Sequence, residues 1–171
     1  ANETSEAWRT ALAHRTGPTA IVLTRQKLPL IDRTKFGAAR GASNGAYVLA
    51  DSPSGPPRAV ILATGSEVEL ALKARDLLAA ERVGVRVVSV PSLELFAMQS
   101  AEYQAGVLPE GVKRVAIEAA HPMPWYRWVG DSGAVLGIET FGASAPYQKL
   151  YQEYGITAER LVETVKRVIA G

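Results

Sequence analysis

The chain has 171 residues, about one domain with some length to spare, and its 47% hydrophobic against 21% charged residues is a globular balance, not a disordered one. The absence of cysteine excludes a disulfide framework, a thiolate zinc site and a cysteine nucleophile together, and two histidines, His14 and His121, argue against a histidine-rich metal centre. Nineteen Lys and Arg against seventeen Asp and Glu leave a scattered +2 with no basic run, so no nucleic-acid surface is indicated; no apolar stretch approaches the roughly 18 residues of a membrane span, and none reads as a signal peptide.

The chain opens on Ala1-Asn2-Glu3 without an initiator Met, which reads as a processed chain or a piece of a longer one. Asn2 is a candidate helix cap, with Glu3 and Glu6 in a first turn where the helix dipole favours negative charge. Ala7, Trp8, Ala11 and Leu12 then recur on one face, and Gly17-Pro18 ends the helix. Residues 19–24 (TAIVLT) form a near-continuous apolar, β-branched run. That pattern predicts a buried strand delivering Arg25 and Gln26 at its C-terminal end. Residue 27 to about residue 42 has no clear period over a length unusual inside a compact domain, and is read as an interdomain linker.

Beyond the linker the pattern is regular. Strands are expected at 46–50 and 58–63, joined by the turn-rich Ser52-Pro53-Ser54-Gly55-Pro56-Pro57, which predicts an antiparallel pair. Ser66-Glu67-Val68-Glu69 has the spacing of a capping box at the start of a helix running to about Val83, with Val68, Ala71, Leu72, Leu78 and Ala79 inward and Gly84 as its stop. Strands follow at 85–90, 113–118 and 134–138, and short helical patches at 93–98, 101–107 and 125–129. Two helices close the chain, at about 146–154 and 158–170; Thr157 caps the second, and Leu161, Val162, Val165 and Ile169 form its stripe. Near-unbroken apolar strands alternating with helices predict an α/β fold: a five-stranded, mostly parallel sheet with one antiparallel edge strand and helices on both faces, preceded by a helix-strand tail.

Four features invite a chemical reading, each beside a plainer one. Ala63-Thr64-Gly65-Ser66-Glu67 runs from strand to helix N-terminus, where free amides bind anions, but it has one glycine where a dinucleotide fingerprint needs three, so a tight turn is the plainer account. Glu118 and His121 follow a strand and have the types of an acid/base pair, but no nucleophile or further ligand stands near them, so structural roles are the plainer account. Trp125, Tyr126 and Trp128 suit stacking on a ligand or packing in a core or interface. Arg25, at the end of a buried strand, is placed either for a surface ion pair or for two-pronged binding of a phosphate.

The sequence resembles the C-terminal part of transketolase. The resemblance is carried by Gly17-Pro18-Thr19-Ala20-Ile21-Val22-Leu23-Thr24-Arg25-Gln26, Ala63-Thr64-Gly65-Ser66-Glu67-Val68, Val90-Pro91-Ser92, Val107-Leu108-Pro109, Ala116-Ile117-Glu118-Ala119, Trp128-Val129-Gly130 and Thr140-Phe141-Gly142-Ala143-Ser144-Ala145-Pro146, in order along almost the whole chain. It implies that residues 1–30 end a pyrimidine-binding domain, that 31–42 link, and that 43–171 are the complete C-terminal domain. It also implies transfer of a two-carbon ketol unit between a ketose phosphate and an aldose phosphate in the pentose phosphate pathway, in a cytoplasmic homodimer. Thiamine diphosphate and Mg2+ or Ca2+ would be bound by the upstream part of the same enzyme. Of the family's functional residues one carries over, Arg25, matching the arginine that binds the sugar phosphate; no catalytic, cofactor or metal residue falls in this chain, His121 receives no role, and the chain alone is expected to be inactive. A 2-oxoacid dehydrogenase β subunit, a deoxyxylulose-phosphate synthase and a non-catalytic α/β ligand-binding module remain as alternatives.

Overall fold

The computed structural model describes residues 1–53 and 55–171, so Ser54, in the expected turn at 52–57, lies outside the described residues. Five strands form one sheet in the order β1-β3-β2-β4-β5: β1 (Tyr47–Ala50), β2 (Ala59–Ala63), β3 (Val85–Ser89), β4 (Lys113–Ile117) and β5 (Ala134–Leu136). β2 runs parallel to both β3 and β4, β5 runs parallel to β4, and β1 lies antiparallel at the edge. The expected hairpin between the first two strands is not formed. β2 is apolar and buried along its whole length, so it takes the centre with parallel neighbours on both sides. β1 pairs instead with β3. The Arg86 guanidinium fastens that pairing by donating from Nε and Nη2 to the Asp51 carboxylate, at 3.0 and 2.8 Å, and these bonds hold the Asp51 carboxyl below its usual range.

Side chains alternate across β2, and the alternation builds two cores. Ala59, Ile61 and Ala63 join Val87, Val115 and Ile117 on one face, under α2 (Glu67–Ala80) and α7 (Ala158–Ala170). Val60 and Leu62 join Val88 and Ala116 on the other, under α3 (Leu93–Ala97), α4 (Ala101–Val107) and α5 (Tyr126–Val129). Phe96, Trp125 and Trp128 fill this second core, so packing explains both tryptophans, while Tyr126 stays on the surface. Thr157 caps α7 as expected, accepting from the Arg160 amide at 3.2 Å, and Leu161, Val162 and Val165 are buried along its stripe. α6 (Tyr147–Glu153) completes the helices of this region.

Two helix ends depart from expectation. Ser66 makes no capping bond to an amide of α2; its hydroxyl donates to the Glu67 carboxylate at 2.7 Å. The same helix ends at Ala80, and Arg82, two residues before Gly84, takes the left-handed conformation at φ 62°. The Val83 amide then reaches back to the Leu78 carbonyl at 2.9 Å and closes the turn. Gly45 does meet a strict backbone requirement: its φ is +83°, and a Cβ there would lie 2.2 Å from the Phe96 amide nitrogen.

The first thirty residues differ in kind from this sheet. α1 (Asn2–Ala13) starts at Ala1, so Asn2 lies inside the helix and does not cap it, and no residue of the helix is buried. Residues 19–24 make no ladder in this chain, with Val22 94% and Leu23 56% exposed. A strand needs a neighbour for its amides and carbonyls, and this one has none among the described residues. The stretch from 31 to 42 lies on the sheet: Ile31 and Phe36 pack on the first core, and the Gly37 amide donates to the Leu49 carbonyl at 2.7 Å.

Candidate functional site

In an open α/β sheet the crevice for a ligand forms where neighbouring strands send their connections to opposite faces. Here β2 leads into α2 on the first face, while its neighbours on both sides lead to the second, β3 into α3 and β4 through Met123–Trp125, a 3₁₀ turn, into α5; the gap between β2 and β4 is the one flanked by two acids. A glutamate follows each of these two strands. Glu67 opens α2 and is 3% exposed, and Glu118 follows β4 directly. Gly65 makes the turn into Glu67 possible with φ +53°.

Glu67 is the hub of this point. Its Oε1 accepts from the Tyr151 hydroxyl at 2.5 Å and from Ser66 at 2.7 Å, and its Oε2 accepts from the Ala119 amide at 3.3 Å. Glu118 hydrogen-bonds to Glu67 and accepts from the Trp125 indole nitrogen at 3.3 Å. Burial first, then the charge of Glu67 beside it, push the Glu118 carboxyl up to about 7. Near neutral pH Glu118 therefore spends much of its time protonated and donates to Glu67, which relieves the repulsion of two facing carboxylates. The Glu67 carboxylate turns away from the amides of α2 toward Tyr151, Ser66 and Ala119, so the motif makes the tight turn of the plainer reading, with Gly65 at φ +53°, but not its capping box. His121 takes no part: it is exposed, and its Nδ1 accepts from the Met123 amide at 3.2 Å. Glu118 faces Glu67 and Trp125, so the possible acid/base pair with His121 is not built.

The crevice is occupied by the chain itself. Tyr151, on α6, donates to Glu67 and accepts from the Gln26 side-chain amide at 3.2 Å, with Ser66 Oγ also 3.2 Å from its hydroxyl. Burial, followed by the bond to Glu67, pushes the Tyr151 phenol up. A cavity of about 350 Å³ opens alongside, lined by Gln26, Ser66, Glu69, Lys73 and Tyr147 among others. Arg25, one residue before Gln26, is exposed and makes no hydrogen bond or ion pair among the described residues. The surface ion pair that its position also suggests is not formed in this chain.

A second contact from the first thirty residues lands at the same end of the sheet. Glu3 Oε1 accepts from the Tyr47 hydroxyl at 2.5 Å and from Ser89 Oγ at 2.6 Å. Arg33 Nη1 donates to that tyrosine oxygen at 2.8 Å and to the Gly37 carbonyl at 2.6 Å. Burial, then the Glu3 charge, push the Tyr47 phenol upward. Sequence reasoning places Glu3 in a helix turn and Glu67 in a capping box, and gives Tyr151 no role. The available signal was a pair of acids following two apolar runs, one directly in RVAIE and one after a three-residue turn in AVILATGSE.

Among the described residues no group of three or more His, Asp or Glu side chains converges to hold a metal ion. No described helix is long and apolar enough to cross a membrane.

The family described as "Transketolase-like TK C-terminal domain" matches residues 45–157. A transketolase of Rhodobacter capsulatus is 49% identical over 98% of this chain and 25% of its own length. One of Geobacillus stearothermophilus is 47% identical over 99% of this chain and 25% of its own. The solved structure of the Leishmania mexicana transketolase superimposes with a TM-score of 0.90 at 39% identity, over 99% of this chain and 24% of that one. The chain spans about a quarter of the length of the relatives it matches, and its sheet of one antiparallel and four parallel strands agrees with the architecture expected from sequence. The chain belongs to the transketolase family, with that family's C-terminal domain over residues 45–157.

Proposed function

We propose that this chain is the C-terminal part of an enzyme that transfers a two-carbon ketol unit from a ketose phosphate to an aldose phosphate, acting in the cytoplasm in the pentose phosphate pathway. Residues 1–30 belong to a preceding pyrimidine-binding domain, 31–42 join the two, and 43–171 form the C-terminal domain of a homodimer. Thiamine diphosphate, held with Mg2+ or Ca2+ by upstream segments, supplies the carbanion chemistry. This chain supplies Arg25 for the substrate phosphate. The observation that carries the reading is an exposed guanidinium with no partner among the described residues, next to a residue anchored at the carboxyl end of the parallel strands, in a chain aligned over almost its whole length with transketolases.

The planar guanidinium fork meets two oxygens of a phosphate at once, and a hydrogen bond to a charged group is worth about 1.5–3 kcal/mol. Arg25→Ala in the full-length enzyme is expected to raise KM for phosphorylated sugars roughly 10- to 200-fold and to leave KM for unphosphorylated analogues nearly unchanged. Arg25→Lys restores part of the loss, because it keeps the charge and loses the fork. An equal rise in KM for both substrate types would show that Arg25 supports the fold and not the phosphate.

A further inference from the structure

We propose that Tyr151 is a positioning residue for the substrate phosphate: its hydroxyl ties the Arg25 loop, through Gln26, to the Glu67 end of α2. The proposal rests on the reading of Arg25 given above and adds how that arginine is aimed. Arg25 and Lys27 are both exposed, while Gln26 between them is half-buried. The Gln26 amide meets the Tyr151 hydroxyl at 3.2 Å, across 125 positions of sequence. Gln26 is thus drawn inward, while Arg25 beside it stays on the surface. The backbone bends at the same place, where the Gln26 backbone N–H donates to Thr24 Oγ1 at 3.2 Å.

The far end of the tether is firm. Tyr151 gives its one proton to Glu67 at 2.5 Å, which leaves its oxygen free to accept from Gln26. Glu67 is buried and is fixed in turn by Ser66, by the Ala119 amide and by Glu118. The Tyr151 ring packs against the first core and meets Tyr147 edge-on at 5.7 Å, so replacing tyrosine by phenylalanine removes the hydroxyl and keeps the packing. The crevice in which this fold commonly receives a ligand thus serves as a socket for the loop that carries Arg25.

The test uses the full-length enzyme with Tyr151→Phe, Gln26→Ala, Arg25→Ala and the double variant Arg25→Ala/Tyr151→Phe. Tyr151→Phe and Gln26→Ala are each expected to raise KM for a phosphorylated donor about 3- to 10-fold, the range of one lost neutral hydrogen bond. KM for the unphosphorylated analogue should stay within about twofold, and the double variant should lose no more than Arg25→Ala alone. Amides of residues 24–28 should exchange faster in Tyr151→Phe. Unchanged exchange there overturns the tether. Equal losses on both substrates make Tyr151 a purely structural residue and overturn the proposal. Faster exchange without a phosphate-selective loss in Tyr151→Phe, while Arg25→Ala keeps its selective effect, overturns the positioning role and leaves the Arg25 reading standing. Absence of a selective effect in Arg25→Ala overturns that reading, and the proposal with it.

Discussion

Residues 59–63 read AVILA and residues 19–24 read TAIVLT, two runs of nearly the same composition. The first is the central strand, buried at every position between two parallel neighbours. The second makes no ladder and leaves Val22 94% exposed. The difference lies outside the runs. An apolar, β-branched run states that a strand can be buried on both faces; the partners that do the burying are specified elsewhere in the chain. For 59–63 those partners are β3 and β4. For 19–24 none exists among the described residues, and on our reading they belong to the preceding domain.

That contrast can be broken or sharpened in three ways, taken from the largest effect downward. If residues 1–30 are a piece of the pyrimidine-binding domain, calorimetry with thiamine diphosphate and magnesium should give no binding by the 171-residue chain and clear binding by the full-length enzyme. Micromolar binding by the chain alone would remove the basis for dividing it there. Next, Ile61 is fully buried, so Ile61→Ala should cost about 2–5 kcal/mol in denaturant unfolding of this chain. Val22→Ala should cost no more than about 0.5 kcal/mol in the chain, the range of a surface change, and several times that in the full-length enzyme. Equal costs in both settings would mean that residues 19–24 gain no neighbours from the rest of the enzyme.

The smallest effect concerns Glu118. Its carboxyl is raised in the folded state to about 7 from an ordinary value of 4.5. A raised carboxyl contributes stability that is fully present below about 4.5 and is lost as pH climbs through about 7. Glu118→Gln keeps a donor toward Glu67 and an acceptor for Trp125 without the charge. The variant should match the wild type at pH 4 and exceed it at pH 8 by on the order of 1 kcal/mol, a figure reduced for partial exposure of the group. A pH profile parallel to that of the wild type would show that Glu118 is not raised.

Much of the sheet was legible because each strand carries its own signal. The boundaries of α4 and α7 match the expected 101–107 and 158–170. The antiparallel edge strand was legible too, although its partner was not. The turn at 52–57 suggested a local pairing, whereas the placement of β1 depends on the demand of β2 for two parallel neighbours, a property of the whole sheet. Of the candidate site, the sequence singles out Arg25, from the end of an apolar run and from a family resemblance, and Glu118, although with His121 as the expected partner. Glu67, Glu118, Tyr151 and Gln26 meet across as many as 125 positions of sequence, and no local pattern announces such a meeting. The local spacing points to Ser66 and Glu69 as the capping pair and leaves Glu67 between them without a role; the fold turned the Glu67 carboxylate toward a tyrosine 84 residues away.

The account rests centrally on the claim that residues 19–24 are a strand awaiting the rest of the enzyme, held to the C-terminal domain at Glu3 and Gln26. Amide hydrogen exchange tests it most directly, comparing residues 19–24 with residues 59–63 in the 171-residue chain and in the full-length enzyme. The account predicts protection of 59–63 in both, with 19–24 exchanging freely in the chain and protected in the full-length enzyme. Protection of 19–24 in the chain alone, or free exchange there in both, would contradict it.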